Sequence, residues 1–116
     1  APGFGLARRW PASLGEETVR QWRERGWLEL YHYGLKRSCR LGYQLIEDGL
    51  RYEDYPDLTD PTLIFHGTRD EVVDPRYSQE FARGRPNVTL RLLDSDHQLL
   101  DVLDLIWEAV VEFAGL

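Results

Sequence analysis

The chain has 116 residues, of which 42% are hydrophobic and 29% charged, and these values are typical of one globular domain. Its net charge is −6 and its basic residues are scattered or paired with acids, which argues against a binding surface for nucleic acid or anionic lipid. No run approaches the roughly 18 apolar residues of a membrane span and no signal peptide is visible, so we expect a cytoplasmic protein without membrane contact. The single cysteine, Cys39, excludes an internal disulfide and a multi-cysteine metal site.

The first helix predicted along the chain covers residues 13–25. Ser13 and Glu16 form a capping-box pattern, acidic residues in the first turn and basic residues in the last suit the helix dipole, and Gly26 supplies a stop signal. The apolar stripe of this helix is narrow and includes Trp22, so the helix can bury only one edge.

A mixed pattern follows this helix. Residues 27–33 are β-prone and partly alternating, which predicts a strand or an extended segment. After a turn over residues 34–38, the apolar spacing over residues 41–52 predicts a second helix. Residues 53–60 are polar, contain proline, and are interpreted as a linker.

The second half of the chain predicts a strand–helix–strand unit. Residues 61–65 form a short apolar run after a proline, which is typical of a parallel strand covered on both faces. Asp74 and Pro75 predict the start of a helix, and residues 87–93 alternate like a strand nearer the edge of a sheet. Both strands of such a unit release their loops at the same edge of the sheet, where open α/β folds place their sites.

The last predicted helix, over residues 99–113, has the clearest amphipathic pattern of the sequence. Its apolar face comprises Leu99, Leu103, Ile106, Val110 and Phe113. Acidic side chains recur on the opposite face at three- and four-residue steps. Burial of the apolar face stabilises the fold only if a sheet receives it, and two strands make a small sheet. We therefore expect uncovered apolar surface that favours association with another chain.

The two loops at the predicted sheet edge carry acid–base side chains. Asp70 follows the first strand of the unit and His97 follows the second, and neighbouring strands about 4.8 Å apart would bring the two side chains together. A carboxylate that holds one ring nitrogen fixes the tautomer of an imidazole, whose other nitrogen can then take a proton near pH 7. We predict Asp70 and His97 as catalytic residues.

Other interpretations of this loop cluster are open. The rival carboxylates are Asp74, Asp94 and Asp96. Asp74 precedes a proline and is better explained as the start of a helix, and Asp96 is too close in sequence to reach round the ring of its neighbour. His66, Asp70 and His97 have the ligand types of a metal site, but acid–base chemistry explains their spacing more simply. We expect His66 to hold the loop by hydrogen bonding, and we predict neither a metal nor another cofactor.

The order His66-Gly-x-x-Asp70-x-x-Val73, a crossover helix, a strand and then Asp96-His97 resembles the carboxyl-terminal third of the α/β-hydrolase superfamily, especially its small esterases and thioesterases. The resemblance implies an α/β fold class, with the last two parallel strands of a hydrolase sheet in residues 59–116 and a mainly helical cap or lid in residues 1–58. It also implies that Asp70 orients His97, and that His97 activates a serine that hydrolyses a small acyl ester or thioester through an acyl-enzyme.

The serine implied by the resemblance belongs in a Gly-x-Ser-x-Gly elbow. None of Ser13, Ser38, Ser78 or Ser95 has that setting. We therefore expect that the amino-terminal core with the nucleophile is absent from this chain, that the chain alone is inactive, and that its partner is this amino-terminal fragment or a symmetry-related chain. The alternative is a non-catalytic binding or assembly module with a hydrolase-like fold.

Aromatic residues are concentrated in the first third of the chain. Most of them are expected to join the cap to the core of the fold. Three of them are predicted to bind substrate by lining an acyl pocket, as cap residues do in similar hydrolases: Trp22, Trp27 and Tyr31.

Overall fold

The computed structural model describes all residues, 1–116, and divides them into two compact units. The amino-terminal unit is Gly5–Pro56, and the carboxyl-terminal unit combines Ala1–Phe4 with Asp57–Leu116. The division after Pro56 lies close to the predicted boundary between residues 58 and 59. The role of the amino-terminal unit as a cap stays a prediction.

The amino-terminal unit contains three helices and a β-hairpin. In chain order they are α1 (Leu6–Leu14), α2 (Glu16–Arg25), β1 (Trp27–His32), β2 (Arg37–Gly42) and α3 (Gln44–Gly49). The two strands pair antiparallel, with Trp27 opposite Gly42 and His32 opposite Arg37. The strand predicted from residue 27 is confirmed.

The helix predicted over residues 13–25 is confirmed from Glu16 to its stop at Gly26 but is wrong at its start, because Ser13 belongs to a separate preceding helix. Ser13 lies inside α1, and its Oγ donates to the carbonyl of Trp10 at 2.7 Å, so no capping box forms. Gly15, with φ +89°, separates α1 from α2. A left-handed φ is readily adopted by glycine, so the residue breaks the helix where the sequence pattern had placed its first turn.

The helix predicted over residues 41–52 is also wrong at its start. Residues up to Gly42 belong to β2, and α3 covers only Gln44–Gly49. The reason is long-range pairing, because β1 supplies a complete antiparallel partner for this segment and a short helical spacing is a weak preference by comparison.

The core of the amino-terminal unit is small and aromatic. Trp22 is completely buried, and its ring meets those of Trp10 and Tyr43 edge-on, with centroids 5.6 and 5.4 Å away. The indole N–H donates to the carbonyl of Leu41 at 2.9 Å, which ties α2 to the hairpin. Such edge-to-face pairs add to the stabilisation that burial alone gives.

The carboxyl-terminal unit is the predicted strand–helix–strand arrangement followed by a helix. Its elements are β3 (Thr62–Gly67), α4 (Arg76–Ala82), β4 (Val88–Leu93), a single 3₁₀ turn (Leu100–Val102) and α5 (Leu103–Ala114). The strands β3 and β4 pair in parallel, from Thr62 opposite Val88 to Gly67 opposite Leu93. Phe81 of α4 is completely buried and stacks on Phe4, with centroids 4.4 Å apart.

The last helix begins later and is less buried than its pattern predicts. Leu99 has a left-handed backbone with φ +59°, and a 3₁₀ turn precedes the first residue of α5, Leu103. No residue of α5 is fully buried, and Leu103 and Trp107 are 56% and 63% exposed. The two strands therefore leave much of the apolar face of α5 uncovered. None of the helices has the length and apolar character needed to cross a membrane.

Candidate active site

The parallel register of β3 and β4 brings the two loops that follow them into direct contact. The N–H of Thr68 donates to the carbonyl of Leu93 at 2.8 Å, and the N–H of Arg69 donates to the carbonyl of Ser95 at 3.0 Å. Gly67 allows this approach, because a Cβ at its position would collide with the backbone carbonyls of Ser95 and Asp96. The glycine that follows His66 is thus required by close packing of the two loops.

Asp70 and His97 meet at this junction. His97 Nδ1 lies 2.9 Å from Asp70 Oδ2 and 3.1 Å from Oδ1. The side chain of Asp70 is completely buried, whereas that of His97 is 41% exposed. The structure therefore brings together the two residues that the sequence predicts as a pair.

The carboxylate of Asp70 is held by its own loop as well as by His97. The backbone N–H groups of Val72 and Val73 both donate to Asp70 Oδ1 at 2.9 Å. Burial would raise the pKa of Asp70, but the hydrogen bonds from Val73, His97 and Val72 together outweigh it and hold the pKa below its ordinary value. Asp70 is therefore a fixed anion at neutral pH.

The ring of His97 has one occupied nitrogen and one open nitrogen. Because Nδ1 faces a carboxylate, which only accepts hydrogen bonds, Nδ1 carries a proton. No hydrogen bond is made by Nε2, which in the neutral ring has a free lone pair. The ring borders an open cavity of about 710 Å³ whose other lining residues include Arg69, Val72 and Gln98. A neutral imidazole in this position can act as a general base toward a group that enters the cavity.

His66 lies beneath the same loop and is completely buried. Its Nε2 is 2.8 Å from the carbonyl oxygen of Val73 and 3.3 Å from Asp70 Oδ2. Its Nδ1 is 2.6 Å from Ser78 Oγ on α4. The hydrogen bonding expected of His66 toward the loop is present. Ser78 was not predicted as part of the site, although its position one helical turn before the apolar Phe81 marks it as facing inward.

The rival carboxylates are engaged elsewhere. Asp96 Oδ1 accepts the backbone N–H of Gln98 at 2.9 Å, and Asp94 Oδ1 accepts from Arg69 Nε at 3.0 Å. Asp74 Oδ1 accepts the backbone N–H of Arg76 at the start of α4, also at 2.9 Å. None of these carboxylates is hydrogen-bonded to the ring of His97.

The geometry of the cluster does not match the metal-site alternative. Asp70 is hydrogen-bonded to His97, whereas His66 Nε2 is hydrogen-bonded to the carbonyl of Val73 and lies 3.3 Å from Asp70 Oδ2. No group of three or more histidine, cysteine or acidic side chains is arranged to hold a metal ion. Both oxygen atoms of Asp70 and Nδ1 of His97 are therefore engaged in hydrogen bonds within the protein.

Neither serine of the carboxyl-terminal unit contacts His97. Ser78 and Ser95 are both completely buried. The hydroxyl of Ser78 bonds to His66, and that of Ser95 donates to Asp101 Oδ1. Both hydroxyl groups thus have structural partners and no access to the cavity.

The three predicted substrate-binding residues differ in exposure. Trp22 has no exposed surface, so its predicted contact with substrate is not supported, and its packing is that of a core residue. The guanidinium groups of Arg25 and Arg40 lie 4.8 and 4.1 Å from the ring centroid of Trp27. Tyr31 is 53% exposed. For Trp27 and Tyr31, substrate binding stays a prediction.

Comparisons with known proteins found a solved structure with a similar fold and a matching family. The chain is similar to the crystal structure of a "putative hydrolase" from Agrobacterium vitis S4, with a TM-score of 0.74 and 22% sequence identity. The match covers 97% of this chain and 46% of the other, so the chain spans about half of that protein's length, and at this identity the likeness concerns the fold. The search of curated proteins gave no match. Residues 1–115 match the family described as "Uncharacterised protein family (UPF0227)", and the chain belongs to that family.

Proposed function

We propose that the carboxyl-terminal unit supplies the aspartate and the histidine of a serine hydrolase of the α/β-hydrolase type, which acts on an ester or thioester. The observation that carries the proposal is the pairing of a buried, fixed Asp70 with His97 Nδ1, while Nε2 of the same ring has no partner. The likeness to a protein described as a hydrolase gives coarse support. The serine and the oxyanion hole come from residues outside this chain.

The reaction proceeds in two halves. As the serine oxygen bonds to the substrate carbonyl carbon, its proton passes to His97 Nε2, and Asp70 stabilises the resulting imidazolium. Nε2 then gives this proton to the leaving alcohol or thiol as the ester or thioester bond breaks, which leaves an acyl-enzyme. Water repeats the sequence, with its proton taken by Nε2, its oxygen bonded to the acyl carbon, and the proton returned to the serine. The products are a carboxylic acid and an alcohol or thiol.

The uncovered surface of the carboxyl-terminal unit supports the proposal that another segment supplies the nucleophile. β3 pairs with β4 and with no other strand, so its second edge has free backbone groups. An apolar recess of about 350 Å³ next to β3 is lined by Leu63, Phe65 and Ile106, among other residues. A further strand and its helix would cover both features. The proposed partner is an amino-terminal core segment of the same protein, with a second copy of this chain as the other candidate.

Hydrolysis by the protein expressed from its complete reading frame tests the proposal. We expect turnover of p-nitrophenyl acetate and of an acetyl thioester, together with labelling of one serine by a fluorophosphonate probe. His97→Ala should lower kcat by about 10⁴-fold. Asp94→Asn is a matched control, because Asp94 lies in the same loop as His97 and its carboxylate is bonded to Arg69 instead of the ring. Equal turnover by wild type and His97→Ala would contradict the proposal.

The chain by itself provides the complementary measurement. Residues 1–116 alone should give no turnover above that of the His97→Ala variant, because histidine and aspartate without a nucleophile retain little catalytic advantage. Acylation of Ser38, Ser78 or Ser95 in the isolated chain would place the nucleophile within it.

A second candidate function is a non-catalytic binding or assembly module. The observation that favours it is the burial of both serines of the carboxyl-terminal unit, each with a structural partner. The same experiment separates the two candidates, because the module predicts a folded complete protein that shows neither turnover nor serine labelling.

A further inference from the structure

A continuous path of hydrogen bonds runs from α4 through the backbone of Val73 to the partly exposed ring of His97. It begins at Ser78 Oγ, 2.6 Å from His66 Nδ1, and continues from His66 Nε2 to the carbonyl oxygen of Val73 at 2.8 Å. The backbone N–H of Val73 in turn donates to Asp70 Oδ1 at 2.9 Å. It ends with the contact of 2.9 Å between Asp70 Oδ2 and His97 Nδ1. The side chains of Ser78, His66 and Asp70 are buried.

The partners of His66 determine where its proton lies. Nε2 faces two acceptors, the carbonyl oxygen of Val73 at 2.8 Å and Asp70 Oδ2, so Nε2 carries the proton. In the neutral ring Nδ1 is then an acceptor, and it receives the hydroxyl proton of Ser78. All the hydrogen bonds of this path consequently point in one direction, from Ser78 through His66 to Asp70.

Both oxygen atoms of the Asp70 carboxylate have hydrogen-bond partners that fix its orientation. Oδ1 is held by the backbone N–H groups of Val72 and Val73, and Oδ2 accepts from His97 Nδ1, while His66 Nε2 lies 3.3 Å from Oδ2. His66 also binds the carbonyl of Val73, so it fixes the loop that carries the two backbone donors.

We propose that His66 and Ser78 are positioning residues that orient Asp70 toward His97 through this buried path. The catalytic consequence rests on the proposed hydrolase function, whereas the orientation of the carboxylate does not. Ser78 acts on the ring of His66, His66 acts on the carboxylate, and only His97 meets the reacting atoms. A mutation on α4 is therefore transmitted to the open face of the site.

The test uses the protein expressed from its complete reading frame, with Ser78→Ala and His66→Phe as disrupting variants. His66→Gln is the conservative variant, because its side-chain amide keeps an N–H donor. Phe81→Leu is the matched control, since Phe81 is equally buried on the same helix and lies outside the path. The melting temperature of each variant is measured, and effects on the site are compared between variants that are destabilised to a similar extent.

The first measurement is the downfield NMR resonance of the His97 Nδ1–H proton. This signal depends on the hydrogen bond to an oriented carboxylate, and it can be measured whether or not the protein shows turnover. We expect this signal in wild type and in Phe81→Leu. In Ser78→Ala and His66→Phe the Nδ1 proton should exchange with solvent at least about 10-fold faster, which broadens or abolishes the signal. His66→Gln should recover part of the signal. In the disrupting variants kcat should fall by about 10- to 100-fold with KM unchanged, as expected for misplacement of a catalytic group.

An unchanged His97 signal in both disrupting variants would overturn the proposal, as would its absence from wild type or an equal loss in Phe81→Leu. If His66→Phe fails to fold, Ser78→Ala still decides, because it removes a single oxygen atom. Signals as expected in a protein without turnover would leave the positioning role standing and refute the proposed hydrolase function.

Discussion

The two units of this protein bury different kinds of side chain. The fully buried side chains of the amino-terminal unit are the apolar Trp22 and Ile46. In the carboxyl-terminal unit, buried polar side chains join the apolar ones: His66, Asp70, Ser78 and Ser95. A buried polar group without a partner costs roughly 1–3 kcal/mol, and each of these four groups has a partner in the structure. Apolar packing thus accounts for the core of the amino-terminal unit, whereas the core of the carboxyl-terminal unit also contains a fixed set of hydrogen bonds.

Asp70→Asn should have the largest effect and should act on function more than on the fold. The amide keeps the shape of the carboxylate but removes the charge that stabilises the imidazolium, so kcat should fall by about 10⁴-fold. Steady-state kinetics on p-nitrophenyl acetate with the complete protein would measure the change. A loss of less than tenfold would mean that the polar core of the second unit serves stability alone.

Trp22→Ala should have the converse effect. The substitution leaves a large cavity in the aromatic core, so we expect the free energy of unfolding of the amino-terminal unit to fall by about 3–5 kcal/mol. Hydrogen exchange of the amides of Gly5–Pro56 would report the loss, with Tyr33→Ala as control because Tyr33 is 84% exposed. Unchanged hydrogen-exchange protection together with an altered substrate preference would instead support the prediction that Trp22 lines the acyl pocket.

Gly67→Ala should lie between these extremes, because it disturbs the loop junction by shape alone. The added Cβ collides with backbone carbonyls that cannot move without separating the loops, and overpacking of this kind costs about 1–3 kcal/mol. Urea unfolding would measure the loss. Gly34→Ala is the matched control, because a Cβ there would approach only the side chain of His32, at 3.2 Å. Equal stabilities of the two variants would show that the loops do not pack this closely.

Acid should produce the smallest and most gradual effect, and it should act through the carboxyl-terminal unit. The pKa of folded Asp70 lies below its ordinary value, so its carboxylate contributes stability that is complete above the unfolded pKa of about 3.9. That contribution is lost as the pH falls through the lower pKa of the folded state. Urea titrations between pH 6 and pH 2 should therefore show a steeper acid loss for wild type than for Asp70→Asn, and parallel curves would contradict the assignment.

Local sequence patterns were sufficient for the strand–helix–strand unit and for the pair at its edge. An apolar run, a helix start at Asp74 and an alternating run are each recognised from nearby residues. The parallel register of the two strands then places the loops with Asp70 and His97 side by side at one edge of the sheet. The parallel pairing of β3 with β4 and the contact of 2.9 Å between the two side chains agree with that prediction. Their catalytic roles stay a prediction, as does the cap role of the amino-terminal unit.

The tertiary structure decided what depends on distant partners. The segment ending at Gly42 is a strand because β1 lies beside it, and Trp22 is a core residue because Trp10 and Tyr43 enclose it. Ser78 joins the site because the α4 crossover places its hydroxyl 2.6 Å from His66, twelve residues earlier in the chain. Periodicity shows which face of an element is apolar. Which particular group that face meets is determined only when the chain closes on itself, because hydrogen bonds and ring contacts require positions defined within a few tenths of an ångström.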